Sequence, residues 1–151
     1  RNLGSASNTW STVYATTFSG TATTARYADL AENYLADGEY EAGTVIALGG
    51  TAEVTATVTM KDHRVAGIVS TNPAHLMNSH LEGEHVVAVA LTGRVPCKVI
   101  GKVAKGDMLV SSNVPGYAMV DNNPSIGTMI GKAVKDKVDD GKGVVEVLVG
   151  K

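Results

Sequence analysis

From Tyr40 onward the chain is a succession of short apolar runs rich in β-branched residues and punctuated by Gly, Asn, Asp or Pro. The runs are GTVIAL (43–48), EVTATVT (53–59), RVAGIVST (64–71), HVVAVAL (85–91), RVPCKVIG (94–101), DMLVSS (107–112), YAMV (117–120), TMIGKAV (128–134) and GVVEVLVG (143–150). Each has strand length and none carries a convincing stripe of 3.6-residue period, so the region is expected to be all-β. Two places leave room for something else. ARYADLAENYL (25–35) holds good helix formers, yet Tyr27, Leu30 and Tyr34 fit one helical face only loosely, so helix and strand both stay open there. PAHLMNSHLEG (73–83) reads as a connection with space for a short turn of helix.

A weak internal repeat runs through the same region. AGTVIAL (42–48) aligns with KGDMLVS (105–111), and VAGIVS (65–70) with MIGKAV (129–134). The spacing from Gly43 to Gly67 is 24 residues, and from Gly106 to Gly131 it is 25. Two similar hairpin units of about sixty residues would build a compact β-barrel or sandwich of the β-clip type. The glycines would then sit where the chain turns tightly or where backbones approach closely.

The first 25 residues differ from the rest. Residues 2–25 carry no charge and are dominated by Thr, Ser, Ala, Asn and Gly, while Trp10, Tyr14 and Phe18 fall on alternating positions suited to one strand face. Their bulky apolar groups are few, and at ~25 cal/mol per Å² they cannot offset an ordering cost of ~1–2 kcal/mol per residue. Such a segment needs a partner surface, and other copies of the chain supply one. It is therefore an oligomerisation arm or is disordered, and its aromatics favour an extended oligomerisation arm over 1–25 with Trp10, Tyr14 and Phe18 packed between copies, followed by an all-β domain over 26–151.

Charge and composition narrow the function. The 151 residues carry a net charge of −2, which argues against nucleic-acid or anionic-membrane binding by bulk electrostatics. The charges are segregated, however: 27–60 hold Asp29, Glu32, Asp37, Glu39, Glu41 and Glu53 without a base, and Arg94, Lys98, Lys102 and Lys105 lie between Glu84 and Asp107 without an acid. These stretches read as solvated faces, or as faces that meet across a subunit boundary. No run of ~18 apolar residues is present, so membrane insertion by a helix is not expected. There is no signal peptide, and Arg1 is not a natural start, which reads as a fragment. The single cysteine, Cys97, sits in an apolar strand and suits an inert buried thiol.

Candidate chemistry is sparse. His63, His75, His80 and His85 are close in sequence, but the five-residue intervals of the last three suit neither a helix face nor a strand face, and no metal or organic cofactor is expected. Met60-Lys61-Asp62 lies at a hairpin tip and faintly resembles the lysine turn of biotin- and lipoate-carrying domains, although those are about half this length. There is no P-loop, no GxSxG and no GxGxxG after a strand. Ser70-Thr71-Asn72-Pro73 reads as a strand terminus, while a Ser or Asn beside carboxylates can also take part in backbone self-cleavage. Asp29, Glu32, Ser70 and Asn72 are the candidates for that chemistry. No nucleophile with an adjacent base is legible at readable spacing, so the chain is expected not to be an enzyme.

Two stretches resemble known material. Leu3-Gly4, Trp10 and Val13-Tyr14-Ala15-Thr16 are similar to a recurrent segment of tailed-bacteriophage tail fibres that leads into the C-terminal domain. Tyr27-Ala28-Asp29-Leu30-Ala31-Glu32 and Gly67-Ile68-Val69-Ser70-Thr71-Asn72-Pro73 resemble the intramolecular-chaperone domain of phage tail appendages, a family with self-cleaving members. The acidic entry YADLAENYLADGEYEAG departs from the aromatic-rich run of the cleaving relatives. The resemblance implies a homotrimer at the tip of a viral fibre, continuous with an upstream shaft. It would be made in the host cytoplasm, carried on the virion and available to a host cell-surface receptor. The alternatives it leaves are an autoproteolytic chaperone that cuts itself from the mature fibre, and a module binding host glycan or protein.

Overall fold

A computed structural model of the chain describes residues 5, 7–12, 14 and 28–150. The strands are β1 (Asp29–Leu35), β2 (Val45–Leu48), β3 (Val54–Ala56), β4 (Val65–Val69), β5 (His75–Met77), β6 (Val86–Ile100), β7 (Met108–Ser111), β8 (Ala118–Val120), β9 (Met129–Ala133) and β10 (Lys142–Val149). The open segment at 25–35 resolves, from Asp29 on, as the strand β1. Where a turn of helix had room, β5 forms instead, because His75, Leu76 and Met77 run parallel to Leu30, Ala31 and Glu32. The runs at 85–91 and 94–101 are one 15-residue strand, β6, continuous through Thr92 and Gly93.

Strands β6, β10, β9, β7 and β8 follow one another, and a parallel contact of β8 with β6 (Val99 beside Ala118) closes them into a five-stranded barrel. The same β6 continues the sheet in the other direction through β4, β2 and β3. β1 pairs with the first half of β6, carries β5 on its far side, and meets β3 through the parallel bridge Ala36–Val54. Each half of β6 thus serves one half of the molecule.

The two halves are bonded alike. Gly43 N–H donates to Val69 O (2.8 Å) and Val69 N–H to Thr44 O (2.9 Å); Gly106 N–H donates to Ala133 O (2.8 Å) and Ala133 N–H to Asp107 O (2.9 Å). Ser70 N–H reaches Ala88 O and Val134 N–H reaches Glu146 O, both at 2.8 Å. A register shift falls between Ile46 and Ala47 where β2 meets β4, and another between Leu109 and Val110 where β7 meets β9. Gly43 and Gly106 take φ values of 85° and 94°, a region that side chains with a Cβ avoid.

Packing repeats the pattern. One apolar cluster comprises Ala36, Ile46, Val54, Val69, Val87 and Val89. Their counterparts under the same correspondence, Val99, Leu109, Ala118, Ala133, Val145 and Val147, all belong to the larger cluster inside the closed barrel. Alternation puts these side chains on one face of each strand and their chain neighbours on the other. Val45, Val65, Ile68 and Ala90 from the first half also join the larger cluster, so the two halves share one continuous core.

Candidate functional site

The first half differs from the second where β4 ends. In the second half, β9 leads through a short connection to β10. In the first half, residues 70–85 intervene, carry β5, and bring Ser70 against the start of β1. The Ser70 hydroxyl donates to Asp29 Oδ2 at 2.6 Å, and both residues are buried. Ala74 N–H donates to Asp29 O (2.9 Å), and Arg94 N–H donates to Ala28 O (3.1 Å). The chain entering the barrel is therefore held from three sides, by β4, by the connection to β5 and by β6. At the position matching Ser70 the second half has Val134, which leaves the serine–carboxylate pair specific to the entry of the chain.

A hydroxyl donating to a carboxylate is the arrangement by which a base polarises a nucleophile. Among the described residues no cationic side chain and no second carboxyl hydrogen-bonds to either group. The pair's direct effect is cohesive: a charge-assisted bond shielded from water is stronger than a neutral one. The structure thus joins two of the four candidate residues. Glu32 lies elsewhere on β1 and accepts a hydrogen bond from Tyr34 Oη (2.8 Å), and Asn72 is exposed. Burial, with a smaller contribution from Glu32, pushes the Tyr34 hydroxyl up to about 12.

The remaining motifs find separate places. His63, His75 and His80 are exposed and His85 is half-buried. Among the described residues no three metal-ligating side chains converge. Lys61 lies at the tip between β3 and β4 with φ 54°, and its ammonium pairs with Asp121 at 2.8 Å across the two halves. Cys97 is fully buried, which pushes its thiol up to about 12. Trp10 is 64 % exposed and Tyr14 95 % exposed, while Phe18 lies outside the described residues. No helix among the described residues is long and apolar enough to cross a membrane.

Asp29 and Ser70 are legible in the sequence as residue types, but their contact is not, because it depends on β1 pairing with β6 beside the end of β4. A corner of the first half is equally hidden from the sequence: two adjoining clefts, of about 480 and 490 Å³, meet there at Glu84 and His85. Glu39 and Glu41 line the first and Asp37 and Glu82 the second. The acidic run at 27–60 was its only legible trace.

The architecture is that of an all-β domain built on a closed five-stranded barrel with additional strands. No known protein family matches the sequence, and no curated protein does. Solved structures that share the fold include two of one phage protein. The C-terminal fragment of bacteriophage phi29 gene product 12 matches with a TM-score of 0.58 and 14% identity, over 81% of this chain and 100% of that fragment. The pre-mature bacteriophage phi29 gene product 12 matches with a TM-score of 0.61 and 14% identity, over 87% of this chain and 23% of the longer protein.

Proposed function

We propose that the chain is the C-terminal domain of a phage tail appendage, a structural virion component that trimerises and supports assembly of the fibre to which it belongs. The observation that carries this reading is the fold likeness, which spans the whole of a C-terminal fragment but only 23% of the pre-mature phage protein. The tail-fibre resemblance of Leu3-Gly4, Trp10 and Val13–Thr16 points the same way from an independent stretch. In this account residues 1–25 are the trimerising arm and 26–151 the domain. Exposed Trp10 and Tyr14, with Phe18, pack between copies, and upstream residues of the same chain form the shaft. Contact with a host receptor is a further role of the exposed tip. Gold-labelled antibodies against the chain should decorate the tail ends of virions that encode it; labelling confined to infected-cell lysate, with none on purified virions, refutes a virion component.

The buried Ser70–Asp29 pair favours a second reading, in which the domain releases itself near its own entry. Mass spectrometry of the parent chain separates the two. A single intact species supports the structural reading, whereas a junction close to Ala28–Asp29 that disappears in Ser70→Ala establishes self-cleavage.

A further inference from the structure

We propose that neighbouring copies join head to tail, the acidic corner of the first half of one copy seating against a basic corner on the second half of the next. The inference rests on the trimer reading above and specifies its interface.

Residues 28–91 contain nine Asp and Glu against Lys61 and Arg64, a net of −7; residues 92–150 contain six Asp and Glu against eight Lys and Arg, a net of +2. Two halves of one design therefore carry opposite charge. At one corner the inversion shows at two matched positions. Register pairs Leu35 with Val86 in the first half and Lys98 with Val144 in the second, and Tyr34 with Val87 as Cys97 with Val145. Carried along the chain, that correspondence matches Glu39 with Lys102 and Glu84 with Lys142, and, without inversion, Glu82 with Asp140. Glu84 is 92% exposed, with His85 at 3.9 Å, and the two clefts that meet beside it have room for lysine side-chain ends. Lys102 is 66% exposed and keeps a long 3.4 Å pairing with exposed Asp140, while Lys142 stands over the Tyr117 ring at 4.9 Å.

Symmetry supplies the second argument. A closed ring of three identical copies cannot use a self-complementary patch, so two different patches of each copy must meet. A duplicated chain offers two patches of similar shape, and shape alone does not choose between like and unlike halves. Opposite charge does, because like halves facing each other place like charges together and unlike halves do not. Exposed pairs add little attraction, so their effect lies in this choice and in its dependence on salt.

The test uses the full chain in three forms beside wild type: Glu39→Lys with Glu84→Lys, Lys102→Glu with Lys142→Glu, and all four exchanges together. Sedimentation velocity over a dilution series gives the concentration of half-dissociation at about 0.05 M and about 0.5 M NaCl. Each double variant should raise it by about ten-fold or more at low salt, a gap that narrows at high salt. The four-fold exchange, which restores opposite corners, should return to within about three-fold of wild type. Trimers of either double variant that match wild type overturn the inference, as does a four-fold variant that shows both losses. A wild type that is monomeric throughout refutes the trimer reading instead. Should a double variant lose its β-sheet circular dichroism, the Glu39→Gln with Glu84→Gln form carries the same comparison with half the charge change.

Discussion

Gly67 and Gly131 are the positions at which the correspondence of the two halves makes its most demanding prediction. A Cβ at Gly67 would lie 2.2 Å from Ala90 O and 2.8 Å from Val89 Cγ1, and a Cβ at Gly131 would lie 2.2 Å from Leu148 O and 3.0 Å from Val147 Cγ1. Real Cβ contacts essentially never fall below 3.0 Å, and in both cases the obstacle is backbone of the adjacent strand, which cannot rotate away. β6 or β10 must therefore retreat by most of an ångström. Overpacking of that kind costs about 1–3 kcal/mol, and weakening a nearby ladder bond such as Ser70 N–H to Ala88 O adds about 1 kcal/mol. A total of roughly 2–4 kcal/mol corresponds to a fall in Tm of about 5–15 °C for a chain of this size. Gly67→Ala and Gly131→Ala should each show it when far-UV circular dichroism is followed on heating at one fixed protein concentration. Gly38→Ala is the control: its Cβ would meet Tyr40 Oη at 3.9 Å, an ordinary contact, and should leave Tm within about 2 °C. A neutral alanine at either position would show that the adjacent strand yields without cost. A loss at one glycine and none at the other refutes the equivalence of the halves.

Asp62 is buried and takes a fork of hydrogen bonds from Arg64 Nε (3.0 Å) and Nη2 (2.8 Å), which, ahead of the opposing burial effect, hold its carboxyl below the usual range. A depressed folded-state value means stability that is present above the unfolded value of about 3.9 and lost as pH falls through the folded one. Asp62→Asn should accordingly lower Tm at pH 7 and flatten its decline below about pH 4; an unchanged pH profile contradicts this. Lys137, with 8% of its side chain exposed, donates to Gly101 O (3.1 Å), Asp139 O (2.7 Å) and Gly141 O (2.6 Å) as well as pairing with Asp139 Oδ1 (2.8 Å). Lys137→Met should cost about 2–3 kcal/mol in urea unfolding, and a loss under about 0.5 kcal/mol would show that water replaces the ammonium freely. The Cys97 thiol, buried and pushed up to about 12, should resist a disulfide reagent in the native chain at pH 8 and react fully in denaturant; native reactivity would place it in an opening segment.

What the sequence made legible was local. β-branched runs named the strands, and the spacing of Gly43, Gly67, Gly106 and Gly131 marked matched turns and close approaches, because a missing side chain and a strand period leave traces in a single chain. The closure of the barrel was not legible. It depends on Val99 lying parallel to Ala118, a pairing without a local signature, and on β6 running unbroken through Thr92 and Gly93, which interrupt its apolar pattern. β5 escaped notice because three residues are too few for alternation to register, and its partner in β1 is more than forty positions away. The site followed the same division. Asp29 and Ser70 were recognisable as residue types, whereas their 2.6 Å contact is a product of the sheet order.

The central claim, a trimer whose arm holds the copies together, is tested most directly by light scattering behind size-exclusion chromatography. Intact chain should elute as a single species of about 47 kDa, three chains of 15.6 kDa, and the chain lacking residues 1–25, or carrying Trp10→Ala with Phe18→Ala, should move towards monomer. An intact chain of 15.6 kDa, or a trimer indifferent to loss of the arm, contradicts the account.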